Sequence, residues 1–147
     1  MTLSDETGCR ILGIDPGTKR YGFAVSDPLG ITAQGLETFE PDDDGELFTR
    51  IGELITEYRL TVIVLGLPLS MSGGEIEGTV RSRELASRIR ERFAVEVVLR
   101  DERMTSLESE RILGAGGRIR NAGDIDRLSA TLLLQSYLDE RKCDTEG

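Results

Sequence analysis

Asp15 ends a short apolar run, Ile11-Leu12-Gly13-Ile14, and is followed at once by Pro16-Gly17-Thr18-Lys19-Arg20-Tyr21-Gly22 before a second run, Phe23-Ala24-Val25. A carboxylate at the end of a buried strand is costly unless something pairs with it. The glycines around it let a backbone approach a ligand closely. Acids recur at comparable places: Asp101-Glu102 just after the strand-like Val95-Glu96-Val97-Val98-Leu99, and Asp126 at a helix start. The chain has no histidine, which excludes Ser-His-Asp and Cys-His catalysis, His-ligated zinc and HExxH metalloprotease chemistry. Crowded carboxylates repel one another unless a cation neutralises them, and hard oxygen donors suit Mg2+ or Mn2+. Such an ion binds a phosphate oxygen, lowers the pKa of an attacking water and stabilises the leaving oxygen.

The spacing alone leaves open whether these acids meet. Asp-Pro-Gly is also ordinary turn chemistry, Asp101 and Glu102 also suit a solvated strand end, and Asp126 also suits the dipole near a helix N-terminus. Of Asp101 and Glu102, only one points at Asp15 if the strand continues, because side chains alternate along it.

The elements that must position these residues are readable from pattern. Strands are expected over Arg10 to Asp15, Tyr21 to Ser26 and roughly Ile31 to Phe39, with glycine and proline at each join. Asp44 is expected to cap a helix with Leu47, Ile51, Leu54, Ile55 and Tyr58 on one face. Val62-Ile63-Val64-Leu65 reads as a strand buried on both faces, which calls for helices on both sides of the sheet. A loop, Gly66 to Gly74, reads equally as simple connection or as a mobile wall that meets a nucleic-acid backbone, and precedes a helix over Glu77 to Phe93 with Leu85, Ala86, Ile89 and Phe93 inward. Val95 to Leu99 is the last strand. Thr105 and Glu108 offer a capping box for a short helix, which Gly114-Ala115-Gly116-Gly117 ends. A final helix runs from about Asp124 or Ile125 to Glu140 on Ile125, Leu128, Leu132 and Leu138. The order β-β-β-α-β-α-β-α-α is an α/β sheet.

At 147 residues with 38% hydrophobic content, the chain fits one domain. Its ends, about 1–8 and 141–147, are expected to be flexible. Cys9 and Cys143 match neither a zinc knuckle nor a redox pair and read as reduced thiols. Met1 to Gly8 is unlike a signal peptide, and the longest apolar stretch, Val62 to Leu69, is too short to span a bilayer. A cytoplasmic protein without a membrane partner is expected. The net charge of −9 is unusual for a nucleic-acid binder, which ordinarily presents a basic surface, although binding follows local charge. The acids Glu40, Asp42, Asp43, Asp44 and Glu46 read as a solvated loop leading into a helix. Along Glu77 to Phe93, Arg81, Arg88 and Arg92 share one edge and Arg83 and Arg90 the other. Such a border can track a phosphate backbone, but flanking arginines also lay their stems over a core, and the structural reading is preferred.

Four motifs in order, Leu12 to Gly22, Val64-Leu65-Gly66-Leu67-Pro68-Leu69 with Gly73-Gly74, Asp101-Glu102-Arg103-Met104-Thr105-Ser106, and Asp126-Arg127-Leu128-Ser129-Ala130 through Leu134-Gln135-Ser136-Tyr137-Leu138-Asp139, resemble the YqgF/RuvX family and cover nearly the whole chain. The resemblance implies an RNase H-like fold, a central mixed five-stranded sheet with helices on both faces. It implies a Mg2+- or Mn2+-dependent nuclease acting on structured nucleic acid. The substrate it favours is the 5′ end of pre-16S rRNA in ribosome biogenesis; a four-way Holliday junction, which needs a homodimer with two sites, is the alternative. Asp15, the Asp101-Glu102 pair and Asp126 would form the metal site. Lys19, Arg20, Arg103, Thr105, Ser106, Arg118 and Arg120 are the candidate substrate contacts. Met104 stands where leucine is usual, and Gly116 to Gly123 lacks the lysine-rich character often seen there.

Two other classes share features of this sequence. Asp15-Pro16-Gly17-Thr18 also resembles the phosphate loop of actin-like ATPases and sugar kinases, but those need two lobes to enclose ATP and this chain is too short. A catalytically silent nucleic-acid- or ribosome-binding module suits the acidic balance; the intact acids argue against it.

Overall fold

The computed structural model describes residues 10–17, 19–102 and 122–146, with side chains at all of these except 122–126 and 142–146. The elements are β1 (Arg10–Pro16), β2 (Tyr21–Ser26), β3 (Ala33–Phe39), α1 (Asp44–Tyr58), β4 (Leu60–Leu67), α2 (Glu77–Arg92), β5 (Glu96–Asp101) and α3 (Ala122–Glu146). The short helix expected after Thr105, and its glycine stop, lie outside the described residues.

The five strands form one sheet in the order β3-β2-β1-β4-β5. β1, β2 and β3 are an antiparallel meander, while β4 and β5 run parallel to β1. The sheet is therefore mixed, and its helices cover both faces. On one face Leu12, Ile14, Phe23, Val25, Ile63, Leu65 and Val97 pack against Leu47, Phe48, Ile51 and Leu54 of α1 and Leu85, Ala86 and Ile89 of α2. On the other, Ile11, Ala24 and Val64 pack against Ala130, Leu133, Leu134 and Leu138 of α3. This double burial is why the β4 run is continuously apolar. Among the described residues no helix is long and apolar enough to cross a membrane.

Some boundaries moved. Asp43, one residue before the expected cap, accepts the Glu46 N–H at 2.8 Å, and Glu46 Oε1 in turn accepts the Asp42 N–H at 2.9 Å. A run of adjacent acids gives several competent caps, and only the geometry selects among them. The buried stripe of α3 is Ala130, Leu133, Leu134 and Leu138, with Leu128 and Leu132 only half-buried. The expected face, Ile125, Leu128, Leu132 and Leu138, is thus rotated from the buried one: Leu132, Leu133 and Leu134 are consecutive, and periodicity alone leaves the phase of such a run open; the side chain of Ile125 lies outside the described residues. The backbone of α3 also continues through 141–146, beyond the expected end at Glu140.

Candidate active site

The position of α3 is set by small residues beneath it. Gly35, Ala24 and Gly13 are paired neighbours across β3, β2 and β1. A Cβ on Gly13 would come within 2.9 Å of Leu134 Cβ and 3.2 Å of the Ala130 carbonyl, and one on Gly35 within 2.8 Å of Arg127 Cγ. The helix thus lies close against the sheet. Its direction follows from contacts with the edge strand: Arg127 and Thr131 stand over Gly35, while the Gln135 side chain accepts the Ala33 N–H at 2.8 Å and donates to the Ile31 carbonyl at 3.0 Å. Helix numbers rise as β3 numbers fall, and β3 runs parallel to β1, so α3 begins at the carboxyl edge of β1.

Asp15 is at that edge, half-buried and paired with Gly22 of β2. Alternation puts it with Ile11 and Gly13 on the α3 face. Asp126 lies one turn before Ala130, about 6 Å along the helix. Asp15 lies two residues beyond Gly13, about 7 Å along the strand. The backbone of Asp126 therefore stands at the level of Asp15 on the same face; its side chain is outside the described set.

The Asp101-Glu102 pair divides. Val97 and Leu99 face the core under α1 and α2, and by alternation Asp101 goes with them, away from Asp15. Glu102 is one residue further. Its N–H donates to the Leu67 carbonyl at 3.1 Å, and its side chain lies over the backbone of Gly66 in β4. Gly66 follows Leu65, the partner of Ile14, so it is level with Asp15 on the adjacent strand and on the α3 face. Glu102 thus lies over the strand next to Asp15, while alternation puts Asp101 on the other face. Among the described residues, which exclude the Asp126 side chain, no three or more acidic, cysteine or histidine side chains gather as a metal-holding group.

The donor set fits a hard divalent ion. Asp15 and Glu102 supply carboxylate oxygens only, and Mg2+ takes one or two protein carboxylates and leaves its other positions to water and phosphate.

The candidate substrate contacts are unevenly placed. Exposed Lys19 and half-buried Arg20 sit in the turn after β1, closed by the Gly17 N–H on the Arg20 carbonyl at 2.8 Å. Arg103, Thr105, Ser106, Arg118 and Arg120 lie outside the described residues. Most of the arginine border of α2 is committed elsewhere. Arg83 pairs with Glu75 at 3.1 Å and Arg88 with Asp44 at 2.9 Å. Arg90 donates to the Val97 carbonyl at 2.9 Å, and Arg88 and Arg92 lie over the Phe48 ring.

The loop after β4 is braced, not slack. The Ser70 N–H donates to the Gly74 carbonyl at 2.9 Å, the Gly73 N–H to the Ser70 carbonyl at 2.9 Å, and the Ser70 hydroxyl accepts the Gly74 N–H at 2.9 Å. The Thr79 hydroxyl ties α2 to the Pro68 carbonyl. Gly66 and Leu67, expected in this loop, belong to β4. Sequence reasoning offered Gly66 as part of a substrate-facing wall but not as the neighbour of Glu102. The position of Gly66 two residues after Val64, on the face of the acids, was the available signal.

A mixed sheet of this order with helices on both faces is an RNase H-like fold. Thermus thermophilus RuvC in complex with a Holliday junction substrate superposes with a TM-score of 0.59 at 17% identity, over 92% of this chain and 96% of that one. The fowlpox virus Holliday junction resolvase gives 0.55 at 14% identity, over 90% and 99%. A Lactococcus lactis subsp. lactis protein named "Putative pre-16S rRNA nuclease" is 46% identical over 134 residues, 88% of this chain and 94% of its own. A Koribacter versatilis protein of the same name is 43% identical over 139 residues, 93% and 91%. The profile of the RuvX family, described as Holliday junction resolvase, matches residues 9–140, and the chain belongs to this family.

Proposed function

We propose that this chain acts as one nuclease domain that hydrolyses phosphodiester bonds in the 5′ precursor of 16S rRNA, in the cytoplasm. The observation that carries the catalytic reading is the convergence of Asp15 and Glu102 at one edge and face of the sheet, level with the start of α3. Asp15 and Glu102, with Asp126, would hold Mg2+ or Mn2+; when bound, the ion neutralises phosphate charge and acidifies the attacking water. In the step itself a water oxygen bonds to phosphorus, and the bridging P–O bond on the opposite side breaks. A carboxylate of this edge takes the water's proton, and the leaving oxygen takes one from solvent, so that the proton count closes. Lys19 and Arg20 receive the backbone phosphates beside Asp15, helped by Arg103, Thr105, Ser106, Arg118 and Arg120.

The names of the relatives described above support the RNA substrate. The family description supports a second substrate for the same chemistry, a four-way DNA junction, which would need a homodimer. Cleavage mapping on a precursor 16S rRNA fragment beside a four-way junction, with wild type and Glu102→Gln, tests both. Specific cuts in the RNA that vanish in the variant are expected. Cuts confined to the junction would transfer the activity to DNA, and equal cutting by the variant would remove Glu102 from the site.

A further inference from the structure

Gly66 has no conformational reason to be glycine. It lies inside β4, paired with Arg100 of β5, and the positive-φ glycines among the described residues are Gly30 and Gly73. Alanine at a compatible position ordinarily stabilises a protein slightly, by restricting the unfolded chain. What forbids a side chain at 66 is Glu102. A Cβ there would lie 2.7 Å from Glu102 Oε1 and 2.8 Å from both its Cγ and its Cδ. The three nearest atoms all belong to this one flexible, half-buried side chain.

We infer that Gly66 is a positioning residue for Glu102: the missing side chain leaves the space in which the Glu102 carboxylate lies, level with Asp15. The inference rests on the assignment of Glu102 to the active site. β4, the strand between the two acids, contributes a gap instead of a ligand, and the acid from the next strand lies across it. A methyl group at 66 leaves the sheet intact and swings Glu102 away from Asp15, because the side chain yields more easily than two paired strands.

The test compares wild type, Gly66→Ala, Glu102→Ala and the double variant by thermal melting, by calorimetric Mn2+ titration without nucleic acid, and by cleavage rate. Gly66→Ala is expected to melt at or above the wild-type temperature and to bind Mn2+ about tenfold or more weakly, the usual scale for losing a group that orients a ligand. Glu102→Ala is expected to lose Mn2+ binding as well. Adding Gly66→Ala to Glu102→Ala is expected to change nothing further, since the methyl then meets no carboxylate; two residues acting through one contact are not additive. A wild-type Mn2+ affinity in Gly66→Ala, losses that multiply in the double variant, or a melting point lowered by several degrees would each overturn the role of Gly66 alone. Wild-type behaviour of Glu102→Ala would overturn the assignment of Glu102 and this inference with it.

Discussion

The two faces of the sheet are built from different materials. Under α1 and α2, Phe23, Ile14 and Leu65 meet Phe48, Ile51 and Leu54, all nearly fully buried. Each such side chain contributes about 1.5–3 kcal/mol on burial. Under α3 the central row is Gly35, Ala24 and Gly13, and the helix backbone lies close against it. Bulk gives stability but holds layers apart; among the buried Ile11, Val64, Leu133, Leu134 and Leu138 of the second face, the bare row itself adds little burial but fixes distance and register. The candidate chemistry, Asp15 and Glu102, lies on the second face. The thick face thus keeps the sheet in shape, and the thin face decides where the carboxylates and the start of α3 stand.

The sharpest way to break this division is to change an acid on the thin face without changing its shape. Asp15→Asn keeps the side chain's volume and removes the charge that would hold the cation. Metal-assisted stabilisation of a phosphoryl transition state is worth several kcal/mol, so cleavage is expected to fall by about a thousandfold or more at tenfold per 1.36 kcal/mol. Melting temperature should be unchanged or slightly higher, because repulsion between neighbouring acids is relieved. A wild-type rate at saturating Mg2+ would show that Asp15 does no more than close the strand.

The opposite change, on the thick face, is Phe48→Ala. It leaves a cavity beneath α1 and removes the ring over which Arg88 and Arg92 lie at 4.6 and 5.3 Å. The expected loss is about 3–5 kcal/mol, seen as a lower urea midpoint. The rate per folded molecule should stay near wild type. A large drop in that rate well below the melting temperature would mean that the two faces are not separable.

Gly13→Ala tests the thin face as spacer. The new Cβ would meet Leu134 Cβ at 2.9 Å and the Ala130 carbonyl at 3.2 Å, and helix backbone cannot yield as a side-chain tip does. Overpacking of this kind costs about 1–3 kcal/mol. The accompanying shift of α3 carries Asp126 away from Asp15, and misplacing a group by about 1 Å can cost a hundredfold in rate. Gly13→Ala should therefore destabilise less than Phe48→Ala and slow cleavage more. The reverse ranking, in paired melting and rate measurements, would defeat the reading of this face as a spacer.

What the sequence revealed divides along the same line. The thick face was legible because large apolar residues recur at helix and strand periods: Leu47, Ile51, Leu54, Leu85 and Ile89 were all placed correctly. The bare row of the thin face was not, because glycine and alanine carry no hydrophobic signal. The α3 stripe on Ala130, Leu133 and Leu134 was hidden by a run of adjacent leucines that fits more than one helix phase, and Gly66 was placed in the loop after β4. The strand-end acids were legible as types and spacing. The choice between Asp101 and Glu102 was not, because it turns on one residue of strand continuation and on space over a neighbouring strand. The role of Arg88 follows from a partner distant in sequence, Asp44, and those of Arg83 and Arg90 from Glu75 and Val97 just beyond the two ends of the helix; periodicity alone names none of the three.

The smallest expected effect comes from a carboxylate at the opposite edge of the sheet, which serves as the contrast to Asp15. Asp27 heads the connection from β2 to β3 and accepts the N–H groups of Leu29, Ile31 and Thr32 at 3.3, 2.7 and 2.8 Å. The hydrogen bond from the Thr32 amide is the largest influence holding its pKa below the ordinary aspartate value. A depressed pKa means that the charged form is favoured by folding. The stabilisation is complete above the unfolded value of about 3.9 and is lost as pH falls through the lower folded value. Asp27→Asn keeps an acceptor but removes its charge, and should cost about 1 kcal/mol at neutral pH. The gap from wild type should close under acid, and cleavage should not change. Urea unfolding of both proteins across an acid titration measures this. A gap that stays constant with pH would show that Asp27 stabilises the turn by shape alone. A fall in cleavage would show that the two edges of the sheet are coupled, against the separation of roles drawn here.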